Sequence, residues 1–172
     1  MVGGGGDDTY IVAAVGDITT ENAGEGTDTV RSYINWMLGA NVEQLELLGT
    51  GNLNGTGNAL NNTLVGNSGN NVLNGGAGDD MRGGAGNDIY VVAAAGDVTA
   101  EDPSQGTDTV RSYINWTLGA NVEQLELLGT GNLNGTGNSL NNTLVGDSGA
   151  NSLSGGDGWQ GLRSGHREVE HV

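Results

Sequence analysis

Lysine, cysteine and phenylalanine are missing from this chain, and proline occurs once in 172 residues. Without cysteine there is no disulfide framework, although that leaves the compartment open, because disulfides are permitted outside cells but not required there. Without phenylalanine, and with only 4% aromatic residues, two packed layers around a shared core are excluded. The apolar 35% is instead spread one residue per short segment, which fits a thin, repetitive fold. Basic residues are scarce as well. Five arginines stand against 21 acidic residues, giving a formal charge of -16 and a pI near 4.1, so nucleic acid and anionic membrane surfaces are excluded as partners. No apolar run is long enough to span a bilayer. The start, Met1-Val2-Gly3-Gly4, lacks a basic region followed by an apolar one, so no cleaved secretory signal is expected there and any export address lies elsewhere. High negative charge with little hydrophobicity predicts disorder unless cations offset the self-repulsion.

Glycine is what the chain has in excess, with 34 residues, and its placement is specific. The pattern Gly-Gly-x-Gly-x-Asp occurs at Gly3 to Asp8, Gly75 to Asp80 and Gly83 to Asp88. Glycine allows positive φ, so such a turn can curl until several carbonyl oxygens face one point, to which the closing aspartate adds a carboxylate. Oxygen-only donors suit a hard cation such as Ca2+. Tyr10 and Tyr90, two places after Asp8 and Asp88, supply an inward strand residue.

A long internal duplication organises the rest. Gly3 to Gly78 reappears as Gly83 to Gly158, with roughly three quarters of positions identical. The predicted division is a first long repeat over residues 1–82, a second over 83–160, and an irregular, disordered tail over 161–172. Within each copy, Thr27 to Ile34 and Leu45-Glu46-Leu47 alternate like half-buried strands. An asparagine-rich ladder follows, in which Leu64 and Leu73 take the inward position and Asn62 and Asn71 stand where Asp80 and Asp88 close the glycine turns. Neutral asparagine hydrogen-bonds to backbone and tolerates the left-handed conformation, so these rungs can close without a full metal site. Gly75 to Gly83 is one residue short of nine, and the period of two favours Met81 over Arg82 as its inward residue.

These residues resemble the repeats-in-toxin (RTX) family of secreted bacterial proteins, whose haemolysin-type nonapeptides bind calcium; the likeness runs from Gly3 to about Gly158. The resemblance implies an all-β fold, a right-handed parallel β-roll or β-solenoid, with calcium held between turns stacked two repeats apart. It implies ligand sets as well. Asp80 with the carbonyls of Gly75 and Ala77 would face the turn of Asn58, Leu60 and Asn62; Asp88 with Gly83 and Ala85 would face Asn67, Gly69 and Asn71. Both sites would be acidic on one side only. Asp8 would have half a site unless another chain completes it. Asp17, Glu21 and Asp28 recur as Asp97, Glu101 and Asp108, and a count of nine places Asp97 where it would help Asp80 from the next rung.

No catalytic constellation is readable. His166 and His171 are five apart and lack the helical spacing of a zinc protease, and no serine elbow or phosphate loop is present. The expected function is a non-catalytic calcium-binding module that folds on calcium after export, extracellular, with type I secretion machinery as the partner the resemblance implies. Two alternatives stand beside it: a carbohydrate-binding accessory module of a polysaccharide-modifying enzyme, recognising polysaccharide or cell-surface glycan through Trp36 and Trp116 with Tyr33 and Tyr113, and a structural or adhesin spacer. The tryptophans are expected to plug the ends of the roll.

Overall fold

The structure is a computed structural model that describes residues 1–156 and the backbone of residues 160–163; the expectations for His166 and His171 lie outside these residues. Every regular element is a short strand, and every pairing is parallel. One sheet contains β1 (Thr9–Val12), β2 (Thr29–Ser32), β4 (Gln44–Leu47), β6 (Thr63–Val65), β8 (Asp80–Arg82) and β10 (Val98–Ala100), in that order. The second runs through β3 (Trp36–Met37), β5 (Asn54–Thr56), β7 (Val72–Asn74), β9 (Ile89–Val92), β11 (Thr109–Ser112), β13 (Gln124–Leu127), β15 (Asn142–Val145) and β17 (Gln160–Arg163). A third, of β12 (Trp116–Thr117), β14 (Asn134–Thr136) and β16 (Ser152–Ser154), begins against β10, with the Thr99 carbonyl oxygen 3.0 Å from where a Cβ on Gly119 would sit. From β2 onward successive strands alternate between the two sides, so the chain winds as a parallel β-roll.

The winding follows from the period of two in strands too short to build anything wider. Most strands turn one or two apolar residues inward, while β5, β10 and β14 bury Gly55, Thr99 and Gly135 instead. Tyr10, Val30, Leu45, Leu64 and Met81 line one side; Leu73, Tyr90, Val110, Leu125 and Leu144 line the other. Register is strict, since a slip of one residue would turn these side chains out. Met81 pairs with Leu64 and is fully buried, so the shortened rung keeps the expected register. Leu64 is also fully buried in a core one side chain deep. Leu64→Ala is expected to cost about 2 to 5 kcal/mol, read as a lower denaturation midpoint of the calcium-loaded protein.

The duplication has a geometric consequence. Copy two contributes nine strands, β9 to β17; copy one contributes eight, β1 to β8, plus the isolated bridge Val2 to Thr20 at the place of β10. Nine is odd, so equivalent strands fall on opposite sides: β1 lies in the first sheet and its counterpart β9 in the second.

Candidate metal centre

An acidic or amide side chain stands just before most of the strands, with Leu53 and Leu133 ahead of β5 and β14 as exceptions, and these side chains form a ladder along each edge of the roll. On one edge the Asp8 amide N donates to Asp28 Oδ1 at 2.9 Å and the Asp28 amide to Glu43 Oε2 at 2.9 Å. Farther along, the Asn62 amide donates to Asp79 Oδ1 at 2.5 Å, and the Asp79 amide to Asp97 Oδ1 at 3.0 Å. The other edge runs Asn71 to Asp88 at 2.6 Å, Asp88 to Asp108 at 2.8 Å and Asp108 to Glu123 at 2.9 Å. Each N–H fixes one oxygen of the next carboxylate. At Asp8, Asp79 and Asp88 the other oxygen, Oδ2, is buried and has no hydrogen-bond partner.

Two places gather more. Asp88, Glu101 and Asp108 each bring a carboxylate oxygen within 4.8 Å of the others, and so do Asp8, Glu21 and Asp28, the same residues 80 positions earlier. The two clusters therefore lie on opposite edges. At the second, the Tyr90 hydroxyl donates to Glu101 Oε1 and accepts from the Gly83 amide at 2.6 Å. A Cβ on Gly83 would collide with Asp88 Oδ2 and come within 2.5 Å of Glu101 Oε1 and 2.6 Å of the Tyr90 oxygen. Only glycine leaves that convergence of oxygens open. The adjoining turn keeps positive φ at Gly84 (88°) and Gly86 (122°), as the glycine pattern requires. At the first cluster, Tyr10 Oη and both carboxylate oxygens of Glu21 are buried without partners.

Crowding shows in the titration. The Asp88 carboxyl is pushed up to about 6, mainly by burial, with Asp108 adding to the shift against the bond from Asn71. Burial likewise carries Glu101 up to about 7, against the bond from Tyr90, with Asp108 and Asp88 reinforcing it. Asp108 is raised by burial and then by Glu123; Glu21 by burial, Asp28, Glu25 and Asp8; Asp79 chiefly by burial. Tyr90 is also raised, mainly by burial. Three converging carboxylates are costly as bare anions, and a divalent cation reverses that preference. The donors are all oxygen, one from each carboxylate lies within 4.8 Å of the others, and Asp8 Oδ2, both Glu21 oxygens and Asp88 Oδ2 are buried without a partner, so the residues fit Ca2+.

The turns that sequence pairing brings together do stack. A Cβ on Gly76 would lie 2.8 Å from the Asn58 carbonyl oxygen, and on Gly84 2.8 Å from that of Asn67, which places the Gly75 and Ala77 turn on Asn58 to Asn62 and the Gly83 and Ala85 turn on Asn67, Gly69 and Asn71. Within the shortened turn, however, Asp79 takes the ladder position. Asp79 is fully buried, whereas Asp80 pairs with Thr63 inside β8 and is exposed. The residue missing from this unit is lost from the turn ahead of the aspartate, so the carboxylate moves with Met81, two places on. Asn62 and Asn71 close on backbone: Oδ1 accepts from Asn58 N at 2.7 Å and Asn67 N at 2.8 Å, and Nδ2 donates to Val42 and Leu53 carbonyls at 3.0 Å each. Asp97 does reach the Asp79 rung, but all its bonds go to amides, with Oδ1 accepting from Gly78 and Asp79 and Oδ2 from Ala93 and Ala94. Asp17 likewise accepts from Ala13 and Ala14, which hold its carboxyl below its ordinary range. The acidic partners of Asp8 and Asp88 come from the following rungs and lie within this chain. A register signal marks them, because Asp28 and Asp108 stand two places before inward Val30 and Val110, as Asp8 and Asp88 stand before Tyr10 and Tyr90.

Known proteins resemble parts of this chain. The family model of the RTX calcium-binding nonapeptide repeat matches residues 56–90 and 136–159, in four copies. Over 51 residues the chain is 41% identical to the Endo-1,3-1,4-beta-glycanase ExsH of Rhizobium meliloti, a match that spans 30% of this chain and 11% of that protein. No solved structure matches.

Proposed function

We propose that this chain, a β-roll carrying RTX calcium-binding nonapeptide repeats, is the calcium-conditional folding module of a larger exported protein and does no chemistry of its own. The observation that carries this reading is the pair of acidic clusters, Asp8, Glu21 and Asp28, and Asp88, Glu101 and Asp108, each of which brings three carboxylate oxygens within 4.8 Å of one another, with Asp8 Oδ2, both Glu21 oxygens and Asp88 Oδ2 buried without a hydrogen-bond partner. Asp79, whose Oδ2 fills the space a Cβ on Gly75 would take, adds a half-acidic position. When bound, calcium supplies positive charge to oxygen donors that repel one another. The side chains do the rest. Backbone amides hold one oxygen of Asp28, Asp88 and Asp108 in place, Tyr90 orients Glu101, and glycine at position 83 keeps the space open.

In low calcium the charge of -16 and the thin core favour an extended chain, a form that fits a narrow export channel. Calcium at about the millimolar level typical of extracellular modules then folds it, since binding free energy available only in the folded state adds directly to stability. Far-UV circular dichroism during a calcium titration in chelator-treated buffer tests this. A cooperative gain of β signal is expected; full β signal in excess EDTA, unchanged by calcium, would overturn it.

One observation favours a second reading, an accessory role in polysaccharide modification. Part of the chain resembles a glycanase, and Tyr33 and Tyr113 are 54% exposed beside the half-buried Trp36 and Trp116. The tryptophan rings pack on the hydrophobic core, so the exposed tyrosines are the groups available to a sugar face. They follow β2 and β11 on different sides of the roll, which gives two separated platforms. Binding on a glycan array that is lost in Tyr33→Ala with Tyr113→Ala supports this role, and no binding by the calcium-loaded protein removes it.

A further inference from the structure

In three of four matching turns of the ladder an asparagine carries the same two duties. At Asn58, Asn67 and Asn138 the side-chain Oδ1 accepts from the amide two residues on, at Leu60, Gly69 and Leu140, each at 2.8 Å. The Nδ2 of each then bridges two carbonyls of the preceding rung: Gly39 and Val42 for Asn58, Leu48 and Gly51 for Asn67, Gly119 and Val122 for Asn138. The fourth member is Asp147, the counterpart of Asn67 in the second copy.

Asp147 keeps the first duty. Its Oδ1 accepts from the Gly149 amide at 2.7 Å and from Asn151 Nδ2 at 2.8 Å, as Asn67 Oδ1 accepts from Gly69 and Asn71. That match places Asp147 Oδ2 where Asn67 has its NH2 group, toward the carbonyls of Leu128 and Gly131, the counterparts of Leu48 and Gly51. A carboxylate oxygen cannot donate to them. Asp147 is only 7% exposed, and its Oδ2 has no hydrogen-bond partner. The space that holds a donor three times along the roll therefore holds three acceptor oxygens the fourth time, one of them anionic.

We infer that Asp147 Oδ2 and the Leu128 and Gly131 carbonyls form a further Ca2+ site, built on the second position of the turn, where the other turns use an asparagine amide as the bridge. The inference rests on the calcium-binding reading above but not on its residues. One cation between a carboxylate and two carbonyls satisfies all three oxygens with hard donors, and a proton on Oδ2 would reach only one carbonyl. Water can complete the remaining coordination.

The test is a count of bound ions by native mass spectrometry of the full chain at about millimolar calcium, the range of extracellular modules. Asp147→Asn restores the amide bridge and is expected to bind one ion fewer than wild type, while its melting temperature in EDTA rises because an amide donor replaces the carboxylate oxygen beside the Leu128 carbonyl and beside the Gly131 carbonyl, which otherwise accepts from Asn151 Nδ2 at 3.4 Å. The reciprocal Asn67→Asp is expected to bind one ion more. Ion counts unchanged in both variants overturn the inference and leave the paired acidic clusters standing. A wild type that binds no calcium at all overturns both readings.

Discussion

Lowering the pH of the calcium-free protein from about 7.5 to about 4.5 is expected to restore β structure without any metal, the reverse of ordinary acid denaturation. The sign follows from the clusters. Asp88 titrates at about 6 in the folded chain against an ordinary 3.8, and Glu101 at about 7 against 4.5. Asp108, Glu21 and Asp79 are displaced in the same direction, and Glu123 and Tyr90 face the same cluster. Over the interval between ordinary and raised values the folded chain binds protons that the unfolded chain has released, so stability falls as pH rises through it. Protons below that interval and calcium above it do the same work, removing charge that the fold has brought together. Asp17 opposes the trend, because its lowered value makes its turn weaker below about pH 4, which sets the floor of the window. Far-UV circular dichroism against pH in EDTA reads the outcome. More β signal at pH 8 than at pH 5 would contradict the charge argument, and it would also remove the expected release of protons on calcium binding near pH 6.5.

Glu101→Gln is expected to move two measurements in opposite directions. The amide oxygen still accepts the Tyr90 hydroxyl, so the local frame stays, but one of three converging charges is gone. In EDTA at pH 7.5 the variant is expected to be more stable than wild type and to lose the upper part of the acid-refolding window, the part Glu101 supplies. Calcium affinity at this cluster is expected to fall by about tenfold or more, because ligand charge count sets affinity in such sites. The 80-residue counterpart, Glu21, stays intact in this variant, so a titration should split into one unchanged and one weakened class of ions. Lower stability in both EDTA and calcium would mean that Glu101 acts through packing and not through charge.

Much of the chain declares itself in one dimension. A strand that turns every second residue inward, fed by glycine turns of fixed length, has its winding, its core and its oxygen-only chemistry written locally; Tyr10, Leu64 and Leu73 sit inside for reasons visible in their own segments. Even Met81 in the shortened unit follows from a count of two. What local pattern does not settle is which carboxylates meet. Asp80 matches the turn formula, but the deletion falls ahead of it, so Asp79 is buried in the ladder and Asp80 faces out. Asp97 and Asp17 look like ligands by composition, yet backbone amides occupy them. Glu101 and Asp108, 13 and 20 residues beyond Asp88, join it because the chain has by then made a circuit of the roll.

Local pattern alone dictates a parallel roll whose glycine turns and oxygen donors suit calcium, because strand period, turn conformation and donor chemistry are properties of neighbouring residues. Only the tertiary structure decided the membership of each cluster, the opposite placement of the two copies and the isolation of Asp147 Oδ2. Those depend on how many residues each coil contains and whether the strand count is odd, quantities that add up along the winding and are fixed only when one rung lies on the next.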